Sequence, residues 1–95
     1  MTYGVISNWK SNVPNTDDMK ATAKAKYVKA VMALGADDCY FIETGSDTFS
    51  VCTIYPDEAT ATTAMAKQNA VRADASSEMP VKLLGEARGT VFASS

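Results

Sequence analysis

Apolar and polar residues alternate at the start of the chain, with the period of two that is typical of a β-strand. The strand is predicted over residues 3–10. Its two faces hold Tyr3, Val5, Ser7 and Trp9 on one side and Gly4, Ile6, Asn8 and Lys10 on the other.

The period changes to that of a helix after Pro14. Asn15 or Thr16 offers an oxygen to cap the first turn, and Gly35 is expected to end the helix. The inward stripe is predicted to hold Met19, Ala23, Tyr27, Ala30, Val31 and Leu34. The lysines between these positions are interpreted as a solvated face rather than a recognition surface.

Alternation resumes between Asp38 and Tyr55, around a Gly45-Ser46 pair that suits a two-residue type II′ hairpin turn. That turn predicts that Phe41 lies opposite Ser50 and that Cys39 lies opposite Cys52. The bulky face, assigned to the helices, holds Tyr40, Ile42, Phe49 and Val51. The lighter face, expected to line a barrel interior, holds Cys39, Phe41, Glu43, Ser50, Cys52 and Ile54.

A second helix is predicted from a cap at Asp57 to about Ser76, with Pro80 closing the region. Its predicted inward stripe is weak and rich in alanine: Thr62, Met65, Ala66, Asn69, Ala70 and Ala73. A last strand is expected over residues 81–92, where Gly85 and Gly89 mark a bulge or a close backbone approach. The predicted order is therefore β-α-β-β-α-β.

This order is typical of the α+β ferredoxin-like fold, in which two helices cover one face of a four-stranded antiparallel sheet. Both faces of the hairpin carry apolar residues, so the second face is expected to meet the sheet of a second copy. The chain resembles the dimeric α+β barrel superfamily, which includes the antibiotic-biosynthesis monooxygenase-like proteins. The segments that carry the resemblance are Gly35-Ala36, residues 51–59 and Gly89-Thr90-Val91-Phe92.

The resemblance implies that residues 1–95 form one domain of a homodimer, with a cavity between the sheet and the helices of each subunit. Members that oxidise quinol-like substrates without a cofactor use side-chain types that this chain supplies in Trp9, Tyr27, Tyr40, Tyr55, Asn69 and Arg72. The haem-degrading members need a histidine and a tryptophan on the second helix, and Asn8 alone could match their pattern. Haem degradation is therefore disfavoured.

The composition excludes several types of catalytic site and several classes of partner. The 95 residues have a net charge of −2 and contain no histidine, which excludes Ser-His-Asp and Cys-His nucleophile systems. Without a basic patch, a signal peptide or a spanning segment, we expect a cytoplasmic protein that binds neither nucleic acid nor membrane. No metal or cofactor is expected. A chain this short also gains stability by pairing with a copy of itself.

The weak catalytic candidates are Glu43, Asn69 and Arg72, with partial burial expected to raise the pKa of Glu43 toward the range of a general base. The candidates for ligand binding are Trp9, Phe41, Tyr27, Arg72 and Arg88.

Several of these residues have a structural alternative. Trp9 could stack on a ligand or seal a dimer seam, and Arg72 could enter a cavity or pair outside with Asp74 or Glu78. Arg88 and Glu86 share a strand face as an ion pair, exposed to water or serving a ligand. Cys39 and Cys52 are interpreted as packing residues rather than a redox pair.

Two functions remain open from the sequence. One is a protein, or a cofactor-independent monooxygenase-like enzyme, that binds a small hydrophobic, aromatic or polyketide-like molecule. The other is a non-catalytic structural or accessory dimer whose interior is filled by its own side chains. An empty pocket lined by polar groups would favour the first, and a filled core would favour the second.

Overall fold

A computed structural model describes residues 2–78 and 81–94. The elements are β1 Tyr3–Ser11, α1 Asp17–Thr22, a π-helical turn Ala23–Tyr27, α2 Val28–Met32, β2 Asp38–Glu43, β3 Thr48–Tyr55, α3 Glu58–Glu78 and β4 Val81–Thr90. Because α1, the π-helical turn and α2 follow one another without a break, the predicted order β-α-β-β-α-β is confirmed. Over these ranges, no helix is long and apolar enough to cross a membrane.

The strands form one antiparallel sheet in the order β2-β3-β1-β4. The helices cover one of its faces, since Val31 of α2 and Ala61 and Ala64 of α3 share a buried cluster with Tyr3 and Val5 of β1. A second buried cluster joins Trp9, Tyr27, Val51 and Val81 toward the other end of the sheet. The alternation read from β1 is confirmed, because its odd-numbered residues are buried and its even-numbered residues face outward.

The first helical segment follows its sequence signals closely. The Thr16 hydroxyl accepts a hydrogen bond from the Met19 amide at 3.2 Å and caps α1. At the other end, Gly35 adopts a φ of 102°, a conformation that side chains other than glycine rarely tolerate. Tyr27 and Val31 are buried, as the predicted stripe requires.

The hairpin register differs from the prediction by one residue. Cys39 pairs with Thr53, Tyr40 with Cys52 and Phe41 with Val51, because the turn contains three residues between Thr44 and Thr48 rather than two. A shift of one residue reverses the faces of a strand. Cys39 and Phe41 therefore face the helices, and the expectation that Tyr40 and Ile42 do so is wrong.

The predicted faces of β3 are correct, although its register with β2 is shifted by one residue. Phe49 packs with the helix-side cluster and Val51 is buried in it, as expected, while Ser50, Cys52 and Ile54 alternate with them on the opposite face.

The Asn15 side chain stabilises the longer turn, since its Nδ2 donates to the carbonyl oxygens of Gly45 at 3.1 Å and Thr48 at 3.2 Å. The connection between β1 and α1 thus fixes the hairpin end.

The helix α3 begins where the sequence predicts, with the Asp57 carboxylate accepting from the Thr60 amide at 2.7 Å. Its inward stripe is not the predicted one. Over residues 58–74, the buried positions are Ala61, Ala64 and Gln68, whereas Asn69 is exposed. Small and polar residues occur all around this helix, so the contacts with the sheet decide which face is buried. Pro80 lies outside the described residues.

The last strand has the irregularity that its glycines suggest. The β1–β4 register shifts between Asn8 and Trp9, which pair with Gly85 and Leu83 respectively, leaving Leu84 as the extra residue of a bulge. Gly89 pairs regularly with Gly4, so the bulge belongs to Gly85.

Candidate functional site

A small cavity lies between the sheet and the helices, at the end of the sheet where Trp9 is buried. Its volume is about 40 Å³, and it is partly open to solvent. The residues that decide its chemistry are Ser7, Trp9, Tyr27, Phe41, Gln68 and Arg72. Aromatic and valine side chains form most of this wall, and the polar groups come from β1 and α3.

Three aromatic rings lie side by side on the helix-facing side of the sheet. The ring centroids of Trp9 and Phe49 are 6.1 Å apart with planes 1° from parallel, and those of Phe49 and Phe41 are 6.1 Å apart at 13°. The indole nitrogen of Trp9 donates to the Ser7 hydroxyl at 2.9 Å, so its buried N–H is satisfied. The result is a flat aromatic wall that spans β1, β3 and β2.

The polar side of the cavity comes from α3, where Gln68 and Arg72 lie one helical turn apart on the same face. Arg72 Nη1 forms an ion pair with Glu86 Oε2 at 2.5 Å, and the two side chains are only 13% and 23% exposed. Arg72 Nη2 and Gln68 Oε1 are both buried without a hydrogen-bond partner in the described part of the chain. Leaving such groups unpaired costs about 1–3 kcal/mol each.

Glu86 joins the two arginines, because Arg88 Nη2 donates to Glu86 Oε1 at 2.7 Å while Arg72 holds the other oxygen. Burial alone would raise the pKa of the Glu86 carboxyl, but the hydrogen bonds from Arg88 and Arg72 outweigh it and the pKa is lowered. The three side chains thus carry one net positive charge beside the cavity.

Tyr55 is fully buried in the neighbouring cluster, and its hydroxyl also has no hydrogen-bond partner among the described residues. Burial raises the pKa of this phenol, the Cys39 thiol adds to the rise, and the Arg72 guanidinium opposes it. The phenol therefore stays protonated and able to donate.

The structure brings four of the five predicted ligand-binding residues to this cavity: Trp9, Tyr27, Phe41 and Arg72. Arg88 does not line the cavity, but it pairs with Glu86, which in turn pairs with Arg72. Of the two positions left open for Arg72, the structure has the one at the cavity, where Arg72 pairs with Glu86, while Asp74 lies 3.8 Å from Lys26. The Glu78 side chain lies outside the described residues.

The two other catalytic candidates lie away from the cavity wall. Asn69 is exposed on α3, and Glu43 lies at the hairpin end of β2, where its carboxylate contacts Lys20 at 3.2 Å. Hydrogen bonds from Lys20 and then Asn15 lower the pKa of Glu43. The expectation that burial raises this pKa is wrong, because the side chain is half exposed.

The cysteines do not form a cross-strand pair, since Cys39 faces the helices and Cys52 lies on the opposite face of the sheet. Burial raises the pKa of the Cys39 thiol, which contacts the Thr53 hydroxyl at 3.9 Å. Both are free thiols. The prediction that Cys39 lies opposite Cys52 is wrong because the hairpin register is shifted by one residue.

Sequence reasoning missed Gln68 and Ser7 at the cavity. The spacing of Gln68 and Arg72, four residues apart, is a signal that they share a helix face, but the alanine-rich pattern pointed to Asn69 instead. The strand pattern predicts the correct face for Ser7 but no role for its hydroxyl. Its role depends on the position of the Trp9 indole, which the strand pattern does not specify.

No protein-family model matches the sequence, and no curated protein matches it. Similar structures exist. One is the crystal structure of a dimeric ferredoxin-like protein from an uncultured marine organism, with a TM-score of 0.68 and 13% identity over 99% of this chain and 98% of that chain. Another is a protein of unknown function from Nitrosomonas europaea, with a TM-score of 0.66 and 20% identity over 100% of this chain and 94% of that chain.

A third similar structure is a structural-genomics protein named YJCS, with a TM-score of 0.65 and 10% identity over 96% of this chain and 99% of that chain. The chain has a ferredoxin-like fold. Together with the sheet order β2-β3-β1-β4, this confirms the fold class predicted from the sequence.

Proposed function

We propose that this chain forms a homodimer and binds, in the cavity between sheet and helices, a small aromatic molecule that carries an oxygen acceptor such as a carboxylate or phenolate. The observation that carries the proposal is the buried Arg72 Nη2, which has no hydrogen-bond partner among residues 2–78 and 81–94, although Arg72 lines a cavity walled by Trp9, Tyr27 and Phe41. A guanidinium forms its strongest hydrogen bonds with a charged oxygen.

Gln68 would orient the ligand in the cavity. Its unpaired Oε1 is an acceptor, so a ligand hydroxyl next to the anionic group would satisfy it. Holding the anion of a phenol-like compound is also the first requirement of cofactor-independent oxygenation. Arg72 is therefore the residue on which both binding and such a reaction would depend.

The homodimer is supported by the outward face of the sheet. Ile6, Tyr40 and Ile42 on that face are 46%, 54% and 49% exposed, and a similar ferredoxin-like structure is described as dimeric. A contiguous apolar patch of this kind is typical of a protein interface. A second copy would cover it without adding any segment to the chain.

One observation favours the alternative of a non-catalytic dimer. At about 40 Å³ the cavity holds only about three water molecules, so an aromatic ligand must widen it on binding. A protein whose core is simply filled by its own side chains would resist that change. The two functions therefore differ in whether a ligand of this class binds at all.

The test starts with native mass spectrometry of gently purified protein, which reports the subunit number and any retained ligand. Salicylate, an aromatic acid with an adjacent hydroxyl, is then titrated by calorimetry. We expect saturable binding that Arg72→Gln weakens by about tenfold or more, since a charge-assisted hydrogen bond is worth roughly 1.5–3 kcal/mol.

Arg88→Gln is the matched control, because Arg88 also pairs with Glu86 but does not line the cavity. It should leave salicylate binding close to that of the unmodified protein. A clean dimer that binds no salicylate would favour the self-filled alternative. Equal weakening by both arginine variants would show a general charge effect and contradict the proposed site.

A further inference from the structure

A larger concavity lies outside the cavity, along the outer edge of β2. This outer groove has a volume of about 410 Å³, and its walls include Met19, Ala23 and Val28 from the helical segment and Cys39 and Phe41 from β2. Pockets of about 300–1,000 Å³ are typical of sites for organic ligands. The outer groove is thus large enough for a small organic molecule without any rearrangement.

The groove stays open because of the residues around it. Ala23, the first residue of the π-helical turn, contributes only a methyl group where a larger side chain would fill the space. Phe41 lies nearly parallel to Phe49 instead of crossing the space. β2 is an edge strand, so no further strand of the sheet closes that side.

The rim of the groove carries excess positive charge. Lys20 and Lys24 both line it, one helical turn apart. Lys20 is neutralised by Glu43, with 3.2 Å between Nζ and Oε2. The Lys24 side chain has no ion pair or hydrogen bond to another residue in the described ranges. With Glu43 as the one carboxylate on the wall, the groove has a net charge of one positive unit.

We propose that the outer groove is a second binding site, for an amphipathic organic anion whose apolar body lies against Phe41, Met19 and Val28 and whose charged group meets Lys24. An apolar wall with a single spare cation complements this class of ligand in both shape and charge. A neutral ligand would form no ion pair with Lys24, and a ligand with several negative charges would be repelled by the Glu43 carboxylate.

This site does not depend on the ligand proposed for the cavity, although Tyr40 and Ile42 of the proposed dimer face also border the groove. The outer groove shares Phe41 and Phe49 with the cavity, but the polar cavity residues Ser7, Gln68 and Arg72 are not on its wall. Substitutions can therefore disturb either site separately.

The probe is 8-anilinonaphthalene-1-sulfonate, a small aromatic anion, titrated by fluorescence and located by amide chemical-shift changes. We expect the shifts to concentrate in residues 19–28 and 39–43. Lys24→Ala should weaken binding about two- to fivefold, the range for one exposed charge, and Lys24→Glu should weaken it further. Ala23→Leu, which fills the groove, should remove most of the binding.

Two controls separate this site from other effects. Lys29→Ala removes an exposed lysine of the same helical segment that does not line the groove, and Arg72→Gln disturbs the cavity. Both should leave probe binding nearly unchanged. Equal weakening at Lys24 and Lys29, shifts confined to residues outside 19–28 and 39–43, or no saturable binding would each overturn the proposal. Weakening by Arg72→Gln but not by Ala23→Leu would place the probe in the cavity instead.

Discussion

Glu86 lies between two arginines at the edge of the candidate cavity, with one oxygen for Arg72 and the other for Arg88. Its carboxylate holds the Arg72 guanidinium at a position where Nη2 has no hydrogen-bond partner in the part of the chain that the structure describes. Removing this carboxylate would leave a mostly buried cation without its counterion. Glu86 is therefore as important to the charge of the site as the arginine that lines it.

The lowered pKa of Glu86 predicts a pH dependence of stability. Its pKa in the folded chain is below the ordinary value of 4.5. Its contribution is therefore fully present above that value and is lost as the pH falls through the folded pKa. We expect Glu86→Gln to cost roughly 1–2 kcal/mol near pH 7 and less near about pH 3, measured by urea denaturation.

The control for this prediction is Asp74→Asn, which removes a carboxylate that lies 3.8 Å from Lys26 and is 66% exposed. An exposed pair contributes about 0–1 kcal/mol, so this variant should change stability little at either pH. A cost of Glu86→Gln that is the same at both pH values would contradict the ionic origin of its stabilisation.

Among the elements, the end of the first helical segment depends on one glycine. Gly35 has a φ of 102°, and a Cβ atom there would lie 3.1 Å from Thr60 Cγ2 of α3. Gly35→Ala should therefore destabilise the fold by about 1–2 kcal/mol, from backbone strain and this contact. Thermal unfolding and urea denaturation measure the change.

Gly89→Ala is the comparison, because Gly89 has neither a positive φ nor any atom within 4 Å of an added Cβ. Its free energy of unfolding should stay within about 0.5 kcal/mol of the original. If both substitutions were equally costly, the conformation of Gly35 would not be the cause.

The predictable elements are those whose signals are local. The cap at Thr16, the stop at Gly35 and the alternation of β1 are properties of a few neighbouring residues, and all are confirmed. The hairpin register depends on one extra turn residue, which Asn15 stabilises from a distant part of the chain. No pattern within the hairpin reveals that contact.

The candidate site was only partly predictable for the same reason. Aromatic residues at alternating strand positions are visible in the sequence, so Trp9 and Phe41 could be proposed as ligand contacts. The orientation of α3 follows from packing against the sheet, because its own residues hardly distinguish one face from another. Gln68, and the pairing of Arg72 with Glu86, therefore required the three-dimensional structure.

At the scale of the whole molecule, the outward sheet face predicts self-association. Ile6 is 46% exposed near the centre of that face, midway along the inner strand β1. Ile6→Glu should convert the proposed dimer to a monomer, because an interface core does not tolerate an unpaired charge. Sedimentation velocity at micromolar concentration measures the outcome.

Val13→Glu controls for the loss of an exposed apolar side chain, since Val13 is 44% exposed in the connection after β1. It should leave the oligomeric state unchanged. Dissociation by both variants would point to a different interface, and a monomeric unmodified protein would contradict the dimer.

The separation of the two cysteines onto opposite faces of the sheet gives the molecule two independent reporters. Only the thiolate form of a cysteine reacts readily, and burial under the helices suppresses that form at Cys39. Because Cys39 also lies on the wall of the outer groove, its alkylation rate measures how readily a reagent enters that groove. In the proposed dimer, the alkylation rate of Cys52 would measure how often the two sheets separate, so one reagent and one mass spectrum follow both processes at once.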